Sequence, residues 1–144
     1  MKVNRYPRGL LALVPLLLLD GCSSAPNKPA TVQVLPECGY LPNCVNSQSG
    51  TGIQAVEPLR ANAEQWQQLK SWITEQEDWE VIVEERDFLQ AVVETPVMRF
   101  RDDVQLLFLP DVQLIHVRSS SRLGFSDLGT NARRVEILRE QLVP

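Results

Sequence analysis

Val104-Gln105-Leu106-Leu107-Phe108-Leu109-Pro110-Asp111-Val112-Gln113-Leu114-Ile115-His116-Val117 reads as two strands and the turn that joins them. Leu109-Pro110-Asp111-Val112 is the turn, because proline fixes its own φ and an aspartate can bond back to the backbone. The strands are expected from Val97 to Phe108 and from Gln113 to about Ser121. With Leu109 opposite Val112, Leu106 falls opposite Ile115, Val104 opposite Val117 and Phe100 opposite Ser121. These pairs form one apolar face. The other face pairs Gln105 with His116, Asp103 with Arg118 and Arg99 with Arg122. Asp103–Arg118 is thus an expected structural ion pair, worth about 0.2–1 kcal/mol as a cross-strand contact. A slip of one residue would bury the charges, so the faces are well determined.

Two more strands precede this hairpin. Trp79, Val81 and Val83 alternate with Glu80, Ile82 and Glu84, and a further strand covers Phe88 to Glu94 before Pro96 interrupts. Upstream, Asn62 to Gln76 reads as a helix. Asn62 is its N-cap, Gln65 completes a capping box, and Trp66, Leu69 and Ile73 recur at helical spacing. This stripe reads as core and not as a ligand platform. A last helix begins near Asn131 as N-cap, with Val135, Leu138 and Leu142 on its apolar face. The implied class is α+β: a mainly antiparallel sheet of about four strands with two helices packed on one face.

Between the last strand and the last helix lies Arg118-Ser-Ser-Ser-Arg122-Leu-Gly-Phe-Ser-Asp127-Leu-Gly-Thr-Asn131-Ala-Arg133-Arg134. Arg118, Ser120 and Arg122 share a strand face. Arg133 and Arg134 stand in the first turn of the helix, where the dipole disfavours cations. Two readings stay open. One is a ligand site for an anion, built from helix-end amides with Arg118, Ser120, Arg122, Asp127, Asn131, Arg133 and Arg134. The other is internal pairing with Asp102, Asp103, Asp127, Glu57 or Glu136. Catalysis would need His116, the one histidine, with a neighbouring serine or aspartate. Ser120 lies four residues along the strand from it, roughly 13 Å away. Asp102 and Asp103 point to opposite faces. No catalytic residue, metal site or cofactor is therefore assigned.

The first 21 residues have a basic start (Lys2, Arg5, Arg8), an apolar stretch from Gly9 to Leu19, and Gly21 before Cys22. The stretch is about half the roughly 20 residues that span a bilayer, so it reads as a cleaved signal. It resembles a bacterial lipoprotein signal, with Cys22 as the lipidated new N-terminus. The rival is an ordinary secretory signal with an incidental cysteine. Residues 22–36 form a Pro-rich tether that could reach roughly 40 Å, and 37–144 form one domain. Removal of residues 1–21 leaves 11 basic and 17 acidic side chains, a balance of −6. No nucleic-acid partner is expected for such a domain. Membrane attachment then falls to the lipid. Lipidation leaves Cys38 and Cys44 as an even pair in an oxidising compartment, where a disulfide is favoured over free thiols. A C-x-x-C redox motif is absent, and a metal pair would lack further ligands.

Three blocks resemble the uncharacterised domain-of-unknown-function 1499 family. They are Pro42-Asn43-Cys44-Val45-Asn46-Ser47-Gln48, Phe100-Arg101-Asp102-Asp103-Val104-Gln105, and Arg118 to Glu136. The last matches R-S-x-S-R-x-G-x-S-D-x-G-x-N-x-x-R-V-E. Gln105 stands where the family often has Glu, and Asn46 where it often has Ser. The first departure puts an acid/base role at position 105 in doubt. The resemblance implies a bacterial lipoprotein and brings no activity with it. The expectation is a lipid-anchored envelope protein in the outer membrane facing the periplasm. It would act as a non-catalytic binding or scaffolding module for an envelope ligand or protein, with an anion as one candidate class. The alternative is an envelope hydrolase using Asp102 or Asp103 with His116.

Overall fold

The computed structural model describes residues 34–142. The expected signal peptide, Cys22 and the tether up to residue 33 lie outside the described residues. The elements run β1 (Cys44–Asn46), β2 (Leu59–Arg60), α1 (Ala63–Thr74), β3 (Trp79–Glu84), β4 (Phe88–Glu94), β5 (Arg101–Leu109), β6 (Leu114–Ser121) and α2 (Thr130–Glu140). β3 to β6 form an antiparallel meander. β1 and β2 both pair antiparallel with the far edge of β6. The architecture is α+β, but the sheet has six strands and not about four. The two additional strands are three and two residues long. Neither is long enough to show an alternation, and both exist because β6 offers an unpaired edge.

The β5–β6 register differs from the expected one by two residues. Pro110–Val112 makes a turn of 3-10 helix, and Gln113 leaves it in the left-handed region at φ 54°. The loop therefore takes four residues, and Leu109 pairs with Leu114. Leu106 faces Val117, Gln105 faces Arg118, and Asp103 faces Ser120. A shift of two leaves every side chain on its expected face. β5 starts at Arg101 and not at Val97. After Pro96 the chain turns: Thr95 O accepts from Arg99 N, and the Thr95 hydroxyl accepts from Phe100 N.

Alternation sends Val104, Leu106, Phe108, Ile115 and Val117 to one face of the sheet, with Leu89, Ala91 and Val93 of β4. Both helices cover that face. α1 contributes Trp66, Leu69 and Ile73, and α2 contributes Val135 and Leu138. The expected capping box closes α1: Asn62 accepts from Gln65 N while Gln65 accepts from Asn62 N. Trp66 stacks on Phe108 with ring centroids 5.7 Å apart, and its indole N–H donates to Arg86 O at 2.8 Å. The N-cap of α2 falls two residues earlier than expected. Gly129, at φ 80°, is the N-cap, and Asn131 is buried inside the first turn. The opposite sheet face carries no helix. Its small apolar cluster joins Leu35, Phe88 and Leu107.

Cys38 and Cys44 are disulfide-bonded with Cα atoms 5.7 Å apart, which anchors the entry to β1. A bridge over so few residues constrains the unfolded chain modestly, by about 2 kcal/mol. Replacing both cysteines with serine should lower the urea midpoint by that equivalent. An unchanged midpoint would show that the bridge adds no constraint.

Candidate functional site

The alternation of β5 and β6 divides the polar segment between the two faces. Asp102, Ser119 and Ser121 point toward the helices and meet Asn131 and Arg134 of α2. Asp103, Gln105, His116, Arg118 and Ser120 alternate with them and lie on the open face, with Gln90 of β4 and Asn46 of β1. Arg122 follows β6 and reaches the same face at Asp103. The seven candidate ligand-binding residues therefore do not form one site.

On the helix side the arginine is paired internally. Arg134 donates from Nη2 to Asp102 Oδ2 at 2.7 Å, and from Nη1 to Ser119 Oγ at 2.8 Å and Asn131 Oδ1 at 2.6 Å. The Asn131 amide donates to Asn43 O and Ser121 Oγ, each at 3.0 Å. The side chains of Arg134 and Asp102 are only 7% and 2% exposed, so the pair is fully desolvated. The amides of Gly129, Thr130, Asn131 and Arg133 at the helix end are also spent. The Asp127 carboxylate accepts from Gly129 N at 3.0 Å and Asn131 N at 2.8 Å, and Asp127 O accepts from Thr130 N. Arg133 turns back to donate to Leu128 O and Thr130 Oγ1. These contacts explain why two cations are tolerated at a helix start. One atom of this network is left over: buried Asp102 Oδ1 has no partner.

On the open face the expected Asp103–Arg118 ion pair is replaced. Asp103 accepts two bonds from Arg122, at 2.9 Å from Nε and 2.7 Å from Nη2. The four-residue loop is the cause, because it moves Arg118 away from Asp103 to a place opposite Gln105. Arg118 is 9% exposed, and its Nε and Nη1 have no partner. Gln105 Oε1 is likewise unpartnered, while Gln105 Nε2 donates to Gln90 Oε1 at 3.4 Å. Asn46 cannot help: its amide donates to Pro36 O, and its oxygen accepts from Gln48 N and Ser49 N. Burial pushes the Arg118 guanidinium below its usual range, with the Asp103 charge opposing that shift. The hydrogen bonds that Arg122 donates to Asp103 push its pKa above the usual range. A guanidinium nevertheless stays charged at neutral pH. Two cations thus share one carboxylate, and Arg118 has no counterion of its own among the described residues.

His116 is held by Ser47, whose Oγ lies 3.1 Å from His116 Nδ1 and accepts from Val117 N at 2.8 Å. Asp102 is on the other side of the sheet, and the Asp103 carboxylate is taken by Arg122. The acid and histidine of the hydrolase alternative are therefore not brought together. Among the described residues no group of three or more His, Cys, Asp or Glu is placed to hold a metal ion. Ser47 and Gln90 are neighbours of this face that were not among the candidate site residues. Gln90 carried a signal, since it interrupts an otherwise apolar strand interior.

Residues 34–142 match the model of the family described as protein of unknown function, DUF1499. The chain belongs to this family. The DUF1499 match spans the disulfide, the whole sheet and both helices, so both polar clusters lie within it. No curated protein and no solved structure matches the chain.

Burial lowers the His116 pKa below its ordinary value of 6.5 in this DUF1499 domain. The unfolded chain therefore takes up this proton first as pH falls. The contribution of His116 is complete above about pH 6.5 and is lost as pH drops toward the folded value. His116→Gln should reduce the loss of stability between about pH 7 and pH 5 in urea unfolding. An identical pH profile would remove His116 as the titrating group.

Proposed function

We propose that this chain is a lipid-anchored cell-envelope protein in which the DUF1499 domain is a non-catalytic binding module. Its open sheet face holds an oxyanion, a carboxylate or phosphate group, at Arg118. One observation carries the reading: a buried guanidinium with Nε and Nη1 unspent, beside a carboxylate already committed to Arg122. Burying a cation without a partner costs several kcal/mol. An anionic ligand offsets that cost and gains charge-assisted hydrogen bonds of about 1.5–3 kcal/mol each. Ser120 and Arg122 are half-buried beside it and continue the polar surface toward solvent. The placement in the envelope rests on the Cys22 signal. The acyl chains hold the protein on the outer membrane, and the tether carries the domain into the periplasm.

The two parts are tested separately. In the source cell envelope, the wild-type chain should incorporate labelled palmitate and sediment with membranes, whereas Cys22→Ser should lose the label and turn soluble. Label retained in Cys22→Ser would end the lipid-anchor reading. For Arg118, the full chain in nanodiscs is titrated with phosphate and with acetate against sodium chloride of equal ionic strength. The wild type should melt higher with a saturating dependence on one of the oxyanions. Arg118→Met should show no such shift and should be more stable than the wild type without anion, by about 1 kcal/mol or more, because an unpaired buried charge is gone. Equal shifts with chloride, or an undiminished shift in Arg118→Met, would overturn the anion reading.

A further inference from the structure

We infer a second binding site on the other side of the sheet, at the corner where β5 begins and α2 starts, for a small amphiphile with a hydroxyl head and an apolar body. A cavity of about 400 Å³ opens there. This is within the range of small-molecule sites, roughly 300–1,000 Å³. Its walls are apolar side chains that a folded domain has no internal reason to expose. Val97 and Leu128 are 87% and 84% exposed, and Met98, Leu123 and Phe100 complete the rim. They come from two separate segments, the turn after Pro96 and the loop after β6, so their convergence is a tertiary property.

The floor of the cavity is polar and incomplete. Asp102 and Ser121 line it, and Asp102 is almost wholly buried with Oδ1 unpartnered. A carboxylate oxygen only accepts, so the missing group is a donor. Charge decides which donor. Asp102 is already neutralised by Arg134, the Asp127 carboxylate is spent on the helix end, and Arg133 lies beside Asp127 in the same wall. Two acids and two bases leave no net field to draw in an ion. A neutral hydroxyl fits this balance. A ligand carboxylate would set one oxygen anion against another, and an ammonium would leave an excess charge in a desolvated site. The Ser121 hydroxyl accepts from Asn131 and gives its own proton to no described residue, so it can donate to the oxygen of the same ligand hydroxyl.

A neighbouring hollow of about 500 Å³ shares Thr95, Pro96, Thr130 and Arg133 with the first and is walled by Trp72, Trp79 and Ile137. It gives the apolar body of a longer ligand a continuation along α2. This site does not depend on Arg118, which lies across the sheet.

The test is photoaffinity labelling of the full chain in nanodiscs with a medium-chain primary alkanol bearing a diazirine. Saturable labelling is expected on the segments Val97–Phe100 and Leu123–Leu128. 1-Octanol should compete at concentrations roughly tenfold below those needed for octanoate or octylamine, since a polar group matched in the site discriminates strongly. Leu128→Asp changes only an exposed rim position and should abolish the saturable labelling. Asp102→Asn should narrow the preference for the alcohol over octanoate, provided that it folds, because the oxygen anion that repels a ligand carboxylate is gone; Leu128→Asp keeps the proposal falsifiable if it does not. Labelling that does not saturate, that survives Leu128→Asp, or that octanoate blocks as well as octanol would overturn the proposal.

Discussion

The fold turns on one buried ion pair. Arg134 comes from α2 and Asp102 from β5, and both are sealed between the helix and the sheet. Removing one partner of such a pair costs about 3–5 kcal/mol, because the other charge stays buried alone. Ser119, Ser121, Asn131 and the carbonyl of Asn43 extend the pair across β6 to the start of β1. The network therefore sets where α2 crosses the sheet and draws the chain ahead of β1 to the same place. Apolar packing alone would tolerate a range of helix positions; a desolvated guanidinium with three bonded acceptors does not.

That pair also dictates what the rest of the polar segment can do. Asp102 and Asp103 are adjacent in a strand, so they serve opposite faces. Each takes one arginine: Arg134 on the helix side and Arg122 on the open side. Arg118 is left over. Among the described residues, the buried side-chain atoms without a partner are Asp102 Oδ1, Gln105 Oε1, and Nε and Nη1 of Arg118. Unmet polar atoms are costly in an interior and are few in a folded domain. Here they fall at two places, an acceptor under an apolar corner and, on the open face, the Arg118 donors opposite the Gln105 acceptor. The two proposed ligands differ accordingly, a hydroxyl at one place and an oxyanion at the other.

Much of this could be read locally. The α1 capping box depends on residues three apart, and the apolar face of β5 and β6 depends on period-two alternation. The polar segment stood out through its density of arginine, serine and glycine. Its division into two clusters did not stand out, because Asn131 was expected as the N-cap of the last helix. Gly129 takes that position with a left-handed backbone, which turns Asn131 inward. The arginine partners were misjudged for a similar reason. Gln113 adopts a left-handed conformation that glycine or asparagine would have advertised, and the longer loop exchanged Arg118 for Arg122 at Asp103.

The sequence by itself determined the class of the domain, the two helices, the faces of β5 and β6 and the pairing of Cys38 with Cys44. These follow from local periodicity, capping and the count of thiols. Only the tertiary structure decided the strand count, the register and which arginine meets which aspartate. β1 and β2 are strands only because β6 has an edge to offer, and a two-residue register shift costs nothing in hydrophobic pattern while it changes every ion pair. The placement of the unmet polar atoms rests on that second set of facts.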